Sequence, residues 1–370
     1  MPSVGGALFR ITATLRTRAA LGLRPVTAPV MLFLPLGALL GPFGANVLSS
    51  TALGHLDVVI SVVLATLGVF IGIAVGTQRG VSVGRLMTAS SVEAAVTILA
   101  VGGATYVLLR AWEMPSAITY TLVALTLGLC ASASAAPSVD DGSDQSRRVA
   151  ARVADLDDVL PIVLGGVALS LLGNGERMVL LDVGLSIGLG LAIAASGWLL
   201  FELSEGAERD VFVLGTLALL GGAAAYLETS PLLAGLSAGW LWAQAPGQTE
   251  RVVATHLRKV QHPLVVILLI TAGASLQPSV AGVWLFAPYL VFRTVGKLTG
   301  GWLASRLAPG VAPSDLGAYL IPPGVIGIAF ALNVLQVAST PALPLVFAVS
   351  AGAVVSEMLA VIVTPAPRPV

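Results

Sequence analysis

The sequence predicts an all-α, polytopic membrane protein with about twelve transmembrane helices. Hydrophobic residues make up 56% of its 370 residues and charged residues only 10%, whereas a soluble domain has roughly 25% charged residues. Apolar stretches of the length needed to cross a bilayer, about 20 residues, follow one another along most of the chain. The loops between them are short, and no stretch has the composition of a separate soluble domain.

The charge balance and the cysteine count argue against several classes of protein. The formal net charge is zero, which gives no reason to expect nucleic acid or another polyanion as a partner. The single cysteine, Cys130, lies in an apolar segment and can form neither an internal disulfide nor a metal cluster. The three histidines, His55, His256 and His262, lack the spacing of metal ligands. We therefore expect no cofactor and no enzymatic activity.

The first 26 residues contain four arginines and no acidic residue. The arginines interrupt any continuous hydrophobic region, so this segment does not have the pattern of a secretory signal. An arginine-rich start resembles a mitochondrial presequence. However, the whole chain prefers arginine to lysine and is rich in Ala, Gly and Val, which is typical of a GC-rich bacterium. We therefore interpret residues 1–26 as a basic cytoplasmic arm.

Positive charges predict how the chain is oriented in the membrane. With the N-terminus inside, fifteen Arg and Lys residues fall on the cytoplasmic side and only Arg110 and Arg177 fall outside. Cytoplasmic loops carry such an excess of positive charge, so both termini are expected in the cytoplasm and the protein in the inner (plasma) membrane of a bacterium. The predicted spans are 27–43, 56–77, 86–109, 116–136, 150–173, 177–201, 211–228, 230–245, 260–277, 281–306, 314–336 and 341–363.

The order of the spans suggests an internal duplication. Spans one to five and spans eight to twelve each run from a short segment to an interrupted helix, CASASAAPS or IPPGVIGIAF, and then to a helix with an acidic residue. Because five is an odd number, the second copy must be inverted in the membrane. Two inverted five-helix repeats with two crossed, interrupted helices indicate where a transporter binds its substrate. The alternative is that the similar order of the two sets of spans is a coincidence, since the sequence identity between the two halves is weak.

Charged residues inside the apolar stretches point to the function. Asp157 and Asp158 lie in the fifth span and Lys297 lies in the tenth. A charged side chain at bilayer depth costs roughly 3 kcal/mol on insertion scales, so such groups usually face a pathway or a partner. Two acids and one ammonium kept inside lipid favour a protein that carries a small ion.

The estimated depths of these residues agree with one another. At 1.5 Å per helical residue, Glu93, Asp157, Lys297 and Glu357 lie about 8–13 Å from the cytoplasmic ends of their spans. Both interrupted helices break at a similar level. Proline and glycine at a break leave backbone groups without helical partners, and opposed half-helix ends can neutralise a passing ion or a buried charge.

Two serines at the first break are candidate ligands. Ser132 and Ser134 add hydroxyl groups that could reach a cation. The alternative is that each hydroxyl bonds back to its own helix, which serine in a membrane helix often does.

Several motifs resemble those of the monovalent cation–proton antiporter superfamily, over residues 30–363. LPLGALLGPFG and VVLATLGVFIGIAVG resemble its opening, TLGLCASASAAPSV its broken fourth helix, ADLDDVLPIVLGG its aspartate helix and VFRTVGKLTGG its lysine helix. The resemblance implies a homodimer with a dimerisation panel (27–77 and 211–277), a linking helix (177–201) and a moving core (86–173 and 281–363).

The Asp-Asp pair with a later lysine resembles the bacterial electrogenic branch of the sodium/proton exchangers. This implies exchange of sodium for protons by alternating access, in the service of pH homeostasis. The sequence departs from the pattern in three ways. No extra helix precedes the first span, the broken helix lacks the usual Thr or Asp, and Glu93 is not expected there.

The resulting hypothesis is competition at one acidic site. Asp158 binds the cation, helped by Asp157, since hard alkali ions take oxygen ligands. Lys297 pairs with Asp157 when the cation is absent, and Glu93 pairs with Arg293 or Lys297. Arg293 and Glu357 are further candidates for supporting residues.

Other functions fit parts of the same pattern. Potassium/proton exchange by the same fold, a non-exchanging regulatory or channel-like relative, and an organic-anion/sodium symporter all stay open. An intramembrane aspartyl protease needs its two acids on different helices. Adjacent residues on one helix instead point about 100° apart.

The orientation leads to the first testable prediction. A cysteine introduced near Ser143 should react with a membrane-impermeant thiol reagent only from the cytoplasmic side, and one near Gly175 only from outside. Replacing Cys130 with serine removes the background signal. Reversed labelling would contradict both the orientation and the depth estimates.

Overall fold

The computed structural model describes residues 28–78, 83–113, 119–137, 145–173, 178–247 and 249–363. Within these ranges the chain is helical, and the only β-type pairing is an isolated bridge between Ser134 and Pro323. The predicted all-α class is therefore confirmed. The basic arm, Arg177, and the labelling positions Ser143 and Gly175 lie outside the described residues.

The helices are numbered in chain order. They are α1 Ala28–Leu40, α2 Ser50–His55, α3 Asp57–Thr77, α4 Val83–Ala111, α5 Tyr120–Ser132, α6 Gln145–Asp157, α7 Val159–Gly173, α8 Val179–Leu203, α9 Gly206–Tyr226, α10 Pro231–Gln244, α11 Thr249–Ala274, α12 Val280–Leu307, α13 Leu316–Tyr319, α14 Val325–Ala338 and α15 Leu343–Val363.

Each predicted span coincides with one of these helices or with a pair of them. The fifth span is divided into α6 and α7, and the eleventh into α13 and α14. Seven helical stretches of the described residues are long and apolar enough to cross a membrane. They are 57–77, 84–111, 145–173, 179–203, 206–226, 249–274 and 340–360.

Two of the shorter helices, α5 and α14, stop part way across. They contain 13 and 14 residues, which gives about 20 Å each against a hydrocarbon core of about 30 Å. Each therefore needs its non-helical continuation to complete a crossing. Helix α12 is long enough at 28 residues but is less apolar, because it carries Arg293, Lys297 and Arg306.

Helices α3, α8, α9 and α10 pack together into a first bundle. Helix α3 makes its closest approach to α10, where a Cβ atom at Gly72 would collide with the Leu236 carbonyl, and one at Gly239 with the Val69 carbonyl. The glycines on the facing sides of α3 and α10 thus allow the two helices to pack closely. The Trp242 indole nitrogen also donates to the Ala194 carbonyl at 2.8 Å, which joins α10 to α8.

Helices α4, α5, α12 and α15 form a second bundle together with α6, α7 and α14. Helix α12 packs along α4 on one side and α15 on the other, and α5 packs along α4. Glu93, Asp157, Arg293, Lys297 and Glu357 lie on helices of this bundle, and Asp158 lies in the turn between α6 and α7. The assignment of the bundles to a dimerisation panel and a moving core, and the inverted repeat, stay predictions.

Candidate functional site

The aspartate helix is interrupted at Asp158. Helix α6 ends at Asp157, Asp158 lies in a turn, and α7 begins at Val159. The cause is Pro161, which has no N–H to donate to the carbonyl of Asp157 four residues earlier. Helical bonding resumes at once, since the Ile162 N–H donates to the Asp158 carbonyl at 3.2 Å. The sequence analysis treated this span as continuous, although Pro161 was a visible signal.

The two interrupted helices cross, as the sequence predicted. After α5 the chain is extended, and the Ala135 N–H donates to the Pro322 carbonyl at 2.9 Å. In return, the Gly324 N–H donates to the Ala133 carbonyl at 3.2 Å. A Cβ atom at Gly324 would lie only 2.9 Å from the Ser134 backbone nitrogen. The crossing thus depends on a glycine at this point.

Arg293 holds the crossing together. Its guanidinium donates to the carbonyls of Ile321, Ala133 (3.1 Å) and Pro322 (3.4 Å), and the side chain is fully buried. These carbonyls belong to both breaks, where helical donors are missing. Arg293 therefore compensates the freed backbone of both interrupted helices with one positive charge.

Lys297, one helical turn beyond Arg293, lies at the centre of a buried ion cluster. Its ammonium contacts both carboxylate oxygens of Glu93 at 3.1 Å and the Oδ2 of Asp157 at 3.3 Å. It also donates to the main-chain carbonyl of Ser132. The side chains of Lys297, Glu93 and Asp157 are all 0% exposed. Helices α4, α5, α6 and α12 thus converge on one cation.

Glu93 has a defined partner in this cluster. The sequence left open whether it pairs with Arg293 or Lys297, and the structure places it on Lys297. The Thr97 hydroxyl, one turn further along α4, donates to Glu93 Oε1 at 3.0 Å. Thr97 was not a candidate in the sequence, but its spacing of four residues from Glu93 places both on one helix face.

Asp158 lies beside the cluster with spare acceptor capacity. The residue is 6% exposed, and its Oδ1 has no hydrogen-bond partner among the described residues. The adjacent Asp157 carboxylate interacts with the Ser134 hydroxyl as well as with Lys297. A buried carboxylate oxygen without a donor is costly, so the unpartnered oxygen of Asp158 is a place for a cation or a proton.

The remaining candidates differ in their contacts. The Ser132 hydroxyl donates back to the Leu129 carbonyl at 2.9 Å, which matches the alternative interpretation. The Ser134 hydroxyl is buried and interacts with the carboxylate of Asp157. Glu357 is 1% exposed on α15, which packs against α12.

The five groups Glu93, Asp157, Asp158, Arg293 and Lys297 carry a net charge of −1 when all are ionised. Three carboxylates contribute −3, and the guanidinium and ammonium contribute +2. In a low-dielectric interior, an uncompensated charge is strongly unfavourable. One further positive charge, from a cation or a proton, would make the cluster neutral.

The second prediction concerns stability. Lys297→Gln leaves Glu93 and Asp157 buried without a counter-ion, so the free energy of unfolding should fall by about 3–5 kcal/mol. Adding Asp157→Asn alone should restore only part of this loss, because Glu93 stays unpaired. Adding Glu93→Gln as well should restore most of it.

Thermal unfolding in detergent can rank the three variants. Arg251→Gln, an exposed change on α11, serves as the matched control for loss of a positive charge. If Lys297→Gln with Asp157→Asn recovers the full thermal stability of the wild type, then Glu93 does not need Lys297 as its counter-ion.

Comparisons with known proteins bear on the fold. No family model matches the chain, and no curated protein matches it. A solved structure of the sodium proton antiporter MjNhaP1 from Methanocaldococcus jannaschii at pH 8 superimposes with a TM-score of 0.62. The two chains are 17% identical, over 89% of this chain and 91% of the other. This protein is therefore a polytopic all-α membrane protein with the fold of a sodium/proton antiporter, as the sequence resemblance implied.

Proposed function

We propose that this protein is a secondary active antiporter that exchanges a monovalent cation for protons. The observation that carries the proposal is the buried cluster around Lys297, which lacks one positive charge. A transporter built on competition needs a site that is satisfied by either of two cations but not by both. The shared fold with a sodium/proton antiporter supports the same function.

Asp158 is the proposed carrier of the exchanged ion. Its position in the turn between α6 and α7 leaves the carboxylate outside regular helical packing, with one oxygen unpartnered. A bare alkali cation can be held there by carboxylate and backbone oxygens. A proton on Asp158 would remove the charge that attracts the cation. Alternating access of the two bundles then makes the exchange obligatory.

Sodium is the proposed cation, because the protein that shares this fold is named as a sodium antiporter. Potassium is the alternative on the same fold. A comparison of sodium, potassium and lithium gradients in proteoliposomes would therefore decide selectivity.

The pair of Asp157 and Lys297 is the proposed source of electrogenicity. If the pair gives up a proton in addition to the one that Asp158 exchanges, each cycle moves net charge. A potential of 100 mV then contributes roughly 2.3 kcal/mol per charge.

A homodimer in the bacterial inner membrane completes the proposal, with both termini in the cytoplasm. Large apolar side chains on α8 and α9, such as Leu180 and Leu219, are exposed on the single chain. They suit contact with lipid or with a second copy. The proposed dimer interface lies in residues 27–77 and 211–277.

The third prediction tests the carrier. Asp158→Asn should abolish cation-dependent proton movement in proteoliposomes, because the asparagine can neither titrate nor attract a cation by charge. The protein should still fold, with equal or higher thermal stability, since a buried charge is removed.

The control is Asp210→Asn, the same change at an exposed residue that contacts His256 at 2.6 Å. It should leave exchange intact. Exchange that persists in the Asp158 variant would move the site elsewhere, with Glu93 and Glu357 as the next candidates. A wild-type protein that moves no protons under any cation gradient would instead favour a non-exchanging relative.

The fourth prediction tests electrogenicity. The double variant Asp157→Asn with Lys297→Gln removes one negative and one positive charge, so the cluster keeps its net charge of −1 and its proposed carrier Asp158. It should still exchange cations for protons, but an imposed membrane potential should no longer drive it. The measurement is transport with and without a valinomycin-generated potential, using sodium as the cation. A response to potential equal to that of the wild type would exclude Lys297 as the source.

A further inference from the structure

Two sets of side-chain hydrogen bonds join the first bundle to the second at one end of the molecule. The Ser170 hydroxyl on α7 donates to the Asp182 carboxylate on α8 at 2.6 Å. The Gln336 amide on α14 donates to the Asp57 main-chain carbonyl at 2.8 Å and to the Ser61 hydroxyl at 3.4 Å, both on α3. We call these contacts the latch. The latch holds α7 and α14 of the second bundle against α8 and α3 of the first.

The latch lies at the end of the bundles that is predicted to face the outside. Asp57 begins α3 and Asp182 lies in the first turn of α8, whereas Ser170 and Gln336 lie near the ends of α7 and α14. Arg306, in the last turn of α12, lies at the opposite end. Cytoplasmic loops carry the excess of positive charge, so the orientation predicted from the sequence places the latch on the outer side.

In the inner half, an apolar cavity of about 290 Å³ separates the two bundles. Its lining includes Val75 near the end of α3, Trp240 near the end of α10 and Val159 at the start of α7. Val159 directly follows Asp158, so the cavity begins beside the proposed carrier. The boundary between the bundles is thus joined by polar contacts at the outer end and contains a gap in the inner half.

Both residues that the second bundle contributes to the latch lie on helices that begin at the candidate site. Helix α7 starts directly after Asp158, and Ser170 is twelve residues further along, a distance of about 18 Å. Helix α14 starts directly after the crossing at Gly324, and Gln336 lies about 17 Å beyond Val325. Packed helices transmit displacements along their length. A movement at the candidate site therefore reaches the latch through α7 and α14.

The surroundings of the latch allow it to open. Its five residues all line a cavity of about 460 Å³, which is large enough for water molecules. When the bundles part, water can replace each partner, so no polar group is left buried without a hydrogen bond. Each exchange of a protein partner for water changes the equilibrium by only about 2- to 10-fold. The latch can therefore bias the conformation of the protein without fixing it.

We propose that Ser170, Asp182 and Gln336 are positioning residues of the transport cycle, which close the outer end of the boundary while Asp158 faces the cytoplasm. The inference rests on the proposed exchange by alternating access. The latch opens when the bundles move to expose Asp158 to the outside. Its strength sets the ratio of the two conformations.

The fifth prediction weakens the latch. Ser170→Ala removes the bond to Asp182, and Gln336→Met removes the donor to α3. Each change should raise the population of the outward-open conformation and so lower the KM for sodium supplied from outside by about 2- to 10-fold. The KM for sodium from the inside should not fall. A purely structural defect would not lower the KM on one side alone.

The matched control is Ser196→Ala on α8. The Ser196 hydroxyl is exposed and donates to the Ala192 carbonyl of its own helix, so its loss should change neither KM. Transport is measured in proteoliposomes in which the protein has one known orientation.

A reversible cross-link tests the opposite change. Asp57→Cys with Gln336→Cys, in the Cys130→Ser background, places two thiols across the boundary, and a bifunctional methanethiosulfonate reagent can join them. The link should abolish most of the exchange, and a reductant should restore it. The control pair is Asp57→Cys with Glu228→Cys, which lines the same cavity from the first bundle alone. Linking this pair should leave exchange at the level of its own unlinked form.

A labelling measurement keeps the latch distinct from the proposed exchange. Ala224, on α9, lines the outer cavity and is 0% exposed. In purified Ala224→Cys protein, also carrying Cys130→Ser, the thiol should react with a water-soluble maleimide only when the outer end opens. Adding Ser170→Ala or Gln336→Met should raise this rate about 2- to 10-fold, and adding Ser196→Ala should not.

Unchanged labelling in both latch variants, or undiminished exchange in the cross-linked protein, would overturn the latch. A wild-type protein without proton flux under any cation gradient would refute the exchange, and the labelling rates would still decide the latch.

Discussion

The ammonium of Lys297 is the group on which the arrangement of the second bundle depends. A buried ammonium is tolerated only where opposite charges and acceptors surround it, and here these come from three different helices, α4, α5 and α6. Any displacement of one helix along its axis would separate a buried charge from its partner. The cluster therefore fixes the relative depth of these helices and of α12. The same contacts hold Asp158, the proposed carrier of the exchanged ion, in place beside the cluster.

The positive charges on α12 also determine what the interrupted helices contribute. Breaks in membrane helices free backbone carbonyls, and such carbonyls commonly bind ions. In this protein Arg293 and Lys297 already occupy the carbonyls of Ala133, Ile321 and Ser132. The breaks thus anchor fixed cations of the protein, so the proposed exchanged ion would bind at the carboxylates and at backbone oxygens outside the breaks. This explains why the aspartate helix has a break of its own at Asp158.

The amino-acid sequence by itself determined the helices and the charged residues of this protein. A helix that crosses lipid must be long and apolar, and this requirement concerns only neighbouring residues in the sequence. The approximate limits of the spans and the breaks at Ser134 and Pro323 could therefore be predicted from the chain. The pairing of Asp157 with Lys297 was also predicted, because two opposite charges at similar depth in the membrane have few other groups with which to pair. Tertiary structure decided between partners at equal depth: Glu93 could reach Arg293 or Lys297, and only the rotation of α4 against α12 selects one.

The same limit applies to groups that are distant in the sequence. Ser132 and Lys297 lie 165 residues apart, and nothing in the sequence near either residue marks them as hydrogen-bond partners. The sequence suggested that Ser132 acts through its hydroxyl. In the structure the hydroxyl bonds to its own helix, and it is the Ser132 carbonyl that accepts a hydrogen bond from Lys297. Sequence patterns report depth along one helix, whereas a site is formed by the faces that several helices turn toward each other.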